Sequence, residues 1–170
     1  LIYFDEPEEI EPAADRIKEH LNTCQNLVSK GSILITGHHG YIGSVMGPRL
    51  MEAGYQVTGL DTVYYGEECT FCPEGAEIPN KKKDLRDVTA EDLQGFDAVI
   101  HLAAAGVKAP GRNWPGCVSV NIIGTEQIIH AISRVSPQPL LIYPRTFYED
   151  CITETTGLKK DPYIVTKTAA

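Results

Sequence analysis

The sequence predicts an α/β fold, a doubly wound parallel sheet with helices on both faces. Three observations carry this. Apolar runs of strand length alternate with segments of helical periodicity through residues 32–170. One run, Ala98-Val99-Ile100-His101-Leu102-Ala103-Ala104, is apolar almost throughout, as a strand covered on both faces requires. Another, Ile33-Leu34-Ile35-Thr36, leads into three glycines spaced three apart, Gly37, Gly40 and Gly43. That is the pattern of a buried strand, a tight turn and the start of a helix.

Bulk properties narrow the class. The 170 residues are 42% hydrophobic and 22% charged, which suits one domain with its own core. A net charge of −8 argues against nucleic acid or a membrane surface as partner, since both require basic patches. Much of that charge is local: residues 1–20 hold seven acids against Arg16 and Lys18. No apolar run approaches the ~20 residues of a membrane span, and the acidic N-terminus is not a secretory signal. Five cysteines, an odd count, point to free thiols in a reducing, cytoplasmic setting. Leu1 in place of Met suggests that the chain does not begin at a native initiator.

Two segments are expected. Residues 1–31 form an acidic stretch and an amphipathic helix over about 12–29, with Ile10, Ala14, Ile17, Leu21, Cys24 and Val28 on one face. This helix packs on the next domain or meets a partner, a second copy included. Residues 32–170 form the α/β domain. Its first strand covers 32–36, and a helix runs from about Tyr41 to Ala53, closed by Gly54, with a kink or break at Pro48. A second strand, 55–60, ends at Asp61. Residues 62–83 read as a long polar connection ending in Lys81-Lys82-Lys83, a solvated edge. The lone C-x-x-C of Cys69 and Cys72 in it has neither further metal ligands nearby nor a redox setting, so no metal site is expected. Thr89 opens a short helix. Residues 105–118 read as a loop, Asn121 to Ser133 as a helix, Pro139 to Tyr143 as a strand, and Pro162 as the start of a last helix.

The glycine turn is a dinucleotide site by its chemistry. Gly37 suits the tight turn, Gly40 lets the backbone approach a pyrophosphate, and Gly43 lets the helix lie close to its strand. Free N–H groups at the helix start then hold the phosphates. Asp61 lies 18 residues beyond Gly43. A carboxylate there accepts hydrogen bonds from both ribose hydroxyls and repels a 2′-phosphate, which favours NAD over NADP. His101 within its apolar run reads as a core histidine. Tyr163 and Lys167 lie four apart, on one helical face. An ammonium near a phenol favours the phenolate, which makes this pair a candidate general base.

Six motifs in order resemble the extended short-chain dehydrogenase/reductase superfamily, with the closest likeness to NAD-dependent epimerases and dehydratases of nucleotide sugars. They are Thr36-Gly37-x-x-Gly40-Tyr41-Ile42-Gly43, Asp61, Asp84-Leu85, His101-Leu102-Ala103-Ala104, Asn121-x-x-Gly124-Thr125 and Tyr163-x-x-x-Lys167. The resemblance implies a Rossmann-type fold, NAD as cofactor and a nucleotide sugar as substrate. It gives Gly37, Gly40, Tyr41, Ile42, Gly43, Asp61, Asp84, Leu85, Leu102, Ala103, Ala104, Asn121 and Lys167 to the cofactor. It makes Tyr163, Lys167 and Thr146 catalytic. A simple dehydrogenase of a non-sugar alcohol and a non-catalytic NAD-binding module remain open beside it. Two features depart from the family. The Ser/Thr-rich strand end is replaced by Tyr143-Pro144-Arg145-Thr146-Phe147-Tyr148, where Thr146 or, by the other alignment, Pro144 takes the catalytic place. Glu149 and Asp150 are candidate acids for a dehydratase. The chain also stops three residues after Lys167, so a truncated domain without its substrate-binding part is expected.

Overall fold

A computed structural model describes residues 31–64, 66, 77–107, 113–149 and 161–170. The helix expected over 12–29, the pair Cys69 and Cys72, Asp150 and the side chain of Glu149 lie outside the described residues. Five strands form one parallel sheet in the order β3-β2-β1-β4-β5. They are β1 (Ser32–Thr36), β2 (Gln56–Asp61), β3 (Asn80–Lys82), β4 (Ala98–His101) and β5 (Leu140–Ile142). Ile33 lies between Val57 and Ala98, and Thr36 between Leu60 and His101. The strand order reverses between β1 and β4, and such a switch opens a crevice at the carboxyl ends of those strands.

Alternation along the central strands builds two cores, one on each face. Ile33, Ile35, Val57, Ala98 and Ile100 pack with Met46 and Leu50 of helix α1 (Tyr41–Glu52). Leu34, Leu60 and Val99 pack on the opposite face with Leu93, Ile128 and Ala131. These come from α2 (Ala90–Leu93) and α4 (Thr125–Ile132). Helices therefore cover both sides of the sheet, and the expected doubly wound architecture is present.

Several local expectations need correction. Helix α1 runs unbroken through Pro48. An interior proline costs ~3 kcal/mol or more. Met46 and Leu50, both fully buried on either side of it, each return ~1.5–3 kcal/mol. The lysine run is not a free edge. Asn80–Lys82 adds a strand beside β2. Lys81 donates to the Asp92 carbonyl at 2.8 Å, and Lys83 pairs with the Asp92 carboxylate at 2.5 Å. Asp92 also closes a capping box with Thr89, the residue expected to open α2.

The fourth helical region starts earlier than its apolar pattern suggests. It comprises α3 (Trp114–Cys117), a π-helical stretch (Val118–Gly124) and then α4. Asn113 caps it by accepting from the Gly116 N–H at 2.9 Å. Helix α5 (Pro162–Ala169) begins at Pro162 as expected, with the Asp161 carboxylate accepting from the N–H groups of Tyr163 and Ile164.

One close approach joins the glycine turn to β2. A Cβ placed on Gly59 of β2 meets ring atoms of His38 at 2.2 Å. The imidazole thus fills the volume of a side chain at position 59. Gly59→Val is expected to destabilise the fold by ~1–3 kcal/mol in urea denaturation, the usual cost of overpacking. The double variant with His38→Ala should recover most of that loss, and independent, additive effects would contradict the packing described.

Candidate cofactor and active site

The carboxyl end of β1 passes directly into the glycine turn. Gly37 has φ of 71°, and a Cβ on it would lie 2.7 Å from the main chain of Ala103. Only glycine gives both the left-handed turn and the contact with the chain leaving β4. Gly43 is packed equally tightly, since its Cβ would lie 2.4 Å from the Cα of His38. The outer side of Gly40 meets only the Gly37 carbonyl oxygen, at 3.1 Å, and is otherwise open. No side chain caps α1, and no acid lies in its first turn. The helix start therefore offers N–H groups and positive dipole potential to an anion, as a pyrophosphate requires. Tyr41 is half exposed beside this opening, and Ile42 leans on the core beneath it.

Asp61 ends β2 next to the turn. One carboxylate oxygen accepts from the Val63 N–H at 2.8 Å, the other from the His39 N–H at 3.2 Å. A carboxylate has about four acceptor sites, so it is oriented by the protein and retains capacity for ribose hydroxyls. Val63 has φ of 55°, a costly conformation for a β-branched residue. Uncapped helix start, open glycine and oriented acid together fit a dinucleotide.

Asp84 caps the 3-10 turn Leu85–Asp87 and is paired with Arg86 at 2.5 Å. The Arg86 hydrogen bond holds its carboxyl below the usual range. Leu85 is buried against Gly124, so its side chain serves the packing of the fold. Leu102 and Ala103 lean on opposite cores, and Ala104 is partly buried beyond them.

His101 is the core histidine its setting predicts. It is fully buried, with Nδ1 at 2.7 Å from the Thr36 hydroxyl and Nε2 at 3.0 Å from the Thr125 hydroxyl. Thr125 donates its own proton to the Asn121 carbonyl at 2.6 Å. It must therefore accept from Nε2–H, and Thr36 must donate to Nδ1. Burial, with the nearby Lys167 charge adding to it, pushes the His101 pKa down to about 3.

Asn121, expected at the cofactor, braces two segments of the chain. Its amide oxygen accepts from the Ala105 N–H at 2.7 Å. Its amide nitrogen donates to the Ala105 carbonyl at 3.0 Å and the Thr166 hydroxyl at 2.9 Å. Fully buried, it fastens α5 to the loop leaving β4. Thr166 lies between Tyr163 and Lys167 in that helix. Tyr163 is partly buried, and Lys167 is 4% exposed. Thr146 is buried just before the 3-10 turn Phe147–Glu149, which packs against α5.

His38 and His39 carry a signal the glycine pattern hides, because they occupy its unspecified positions. Their rings meet edge to face at 4.1 Å. Among the described residues, both ring nitrogens of His38 and Nδ1 of His39 are buried without hydrogen-bond partners. Burial first, and then His39, push the His38 pKa down to about 4 against an opposing pull from Asp61. His38 and His101 thus stay neutral in the fold, whereas in the unfolded chain they protonate below about 6.5. The unfolded state binds more protons in that interval. Their stabilisation is complete above about 6.5, falls with acidification, and is lost as pH drops through about 4 and about 3 respectively. The urea midpoint should therefore fall between pH 7 and pH 4.5. His38→Ala should make that fall shallower, and an unchanged slope would refute the role given to His38.

Residues 33–170 match the family described as "NAD dependent epimerase/dehydratase family". A "Probable UDP-glucuronate 4-epimerase" of Rhizobium meliloti (strain 1021) is 31% identical over 123 residues, covering 64% of this chain and 36% of the relative. A "3 beta-hydroxysteroid dehydrogenase/Delta 5-->4-isomerase" of Mycobacterium tuberculosis is 26% identical over 115 residues, 64% of this chain and 30% of that protein. Among solved structures, a UDP-glucose 4-epimerase superposes with a TM-score of 0.63 at 25% identity, over 81% of this chain and 44% of its own. The chain thus spans about a third of the length of these curated relatives. With its parallel sheet, uncapped glycine turn and Tyr-x-x-x-Lys helix, the chain belongs to the NAD-dependent epimerase/dehydratase family of the extended short-chain dehydrogenases/reductases.

Proposed function

We propose that the protein carrying this chain is an NAD-dependent epimerase or dehydratase of a nucleotide sugar. The observation that carries this is the fastening of the Tyr163–Lys167 helix, through Asn121 and Thr166, to the loop leaving β4 beside the glycine turn. It supports a candidate base acting on a ligand held at the glycine turn. Bound NAD supplies a hydride acceptor that can return the hydride to the sugar. Tyr163 takes the proton of the reacting hydroxyl. Lys167, one helical turn on, favours the phenolate and holds the nicotinamide ribose. Thr146 offers a hydroxyl to the reacting oxygen. In a dehydratase, Glu149 or Asp150 serves as the acid. A reducing, cytoplasmic setting goes with this proposal.

The likeness to a hydroxysteroid dehydrogenase supports a second reading, oxidation of a non-sugar alcohol with net NADH release. A full-length protein tested against UDP- and dTDP-sugars and against hydroxysteroids separates the two: sugar isomer or dehydrated product without NADH accumulation supports the first. Absorbance rising at 340 nm only with the steroid supports the second. Tight NAD binding with no turnover of either would make the protein a binding module.

Tyr163→Phe is expected to lower kcat by about 100-fold or more while leaving the NAD Kd within a few-fold, since a positioned base contributes roughly 10²–10⁴. A variant as active as its parent would sink the mechanism. Asp61→Ala should weaken NAD binding about tenfold and narrow the preference over NADP, as judged by titrating both. A parent that already prefers NADP contradicts the role given to Asp61.

A further inference from the structure

We infer that Tyr143 positions Lys167, its ring face holding the ammonium where the catalytic helix needs it. Tyr143 is the first residue after β5 and opens the stretch that departs from the family's Ser/Thr-rich strand end. Its ring contacts two groups. It stacks on His101, with centroids 5.3 Å apart and planes 25° apart. The Lys167 Nζ sits 3.9 Å from the ring centroid.

The stack is ordered from its base. His101 is held at both nitrogens by Thr36 and Thr125, which fixes the plane of the imidazole. That plane sets the tilt of the phenol, and the electron-rich face of the phenol attracts a cation. Lys167 is almost fully buried, and a desolvated ammonium draws more from an aromatic face than an exposed one does. The Lys167 charge also acts on His101, the other partner of the ring. Glycine turn, sheet and catalytic helix are thereby joined at one charged atom.

This rests on the role given above to Lys167. The test uses the full-length protein with NAD⁺ as probe. Tyr143 is replaced by Phe, and then by phenylalanines of increasing ring fluorination, which weaken the cation-binding face while preserving shape. Two readouts are followed: the NAD⁺ Kd and the pH midpoint of the Tyr163 phenolate, taken as the absorbance difference from Tyr163→Phe. The Phe variant should stay within about threefold of its parent. Across the fluorinated series the Kd should rise stepwise by about 2- to 30-fold, and the phenolate midpoint should climb towards about 10. A purely structural ring would give a flat series. A flat series with Lys167→Ala impaired in both readouts overturns the role of Tyr143 alone. A flat series with Lys167→Ala also unimpaired overturns the reading of the site and the inference with it.

Discussion

A buried hydrogen-bond chain runs from the end of β1 to the helix of Tyr163 and Lys167, and the candidate site depends on it. Thr36 donates to His101, His101 to Thr125, and Thr125 to the Asn121 carbonyl; the Asn121 side chain then grips Ala105 and Thr166. Each link is inside the protein, where an unmade bond is costly. The chain has one direction only, since Thr125 has a single proton and gives it to a carbonyl. Sheet order brings the strands together, but this network fixes how the loop after β4 and helix α5 stand over the crevice. The π-helical stretch falls where Asn121 must turn inward, in keeping with the tendency of such turns to occur at functional sites.

At the phosphate end the constraint is the opposite kind. There the protein leaves groups available. Helix α1 has neither a capping side chain nor an acid in its first turn, and Gly40 is open on its outer side. Asp61 is oriented by two backbone N–H groups and keeps acceptor capacity. One end of the crevice is thus tied by internal hydrogen bonds, and the other presents polar groups suited to a ligand. That division matches a cofactor held by its phosphates and ribose and addressed at its far end by a positioned side chain.

Much of this was legible in sequence, and what was not has physical causes. The central strands and α1 are long or apolar enough to declare their period. The glycine spacing, Asp61, the core setting of His101 and the Tyr-x-x-x-Lys pair could be read because their chemistry is local. β3 was hidden because three polar edge residues have no period to show. The lysines beside it looked solvated because their partner, Asp92, comes from a separate element. Pro48 looked like a break because the anchoring of its neighbours is tertiary. Asn121 could be found by its motif, but its inward bracing depends on Ala105 and Thr166, which are distant in sequence.

The contact between His38 and Gly59 makes two distant positions a single choice. They lie on different elements, yet one ring takes the space of the other's absent side chain. A full-sized imidazole in the turn and a side chain at position 59 exclude each other, so the residue tolerated at either position is set by the residue at the other.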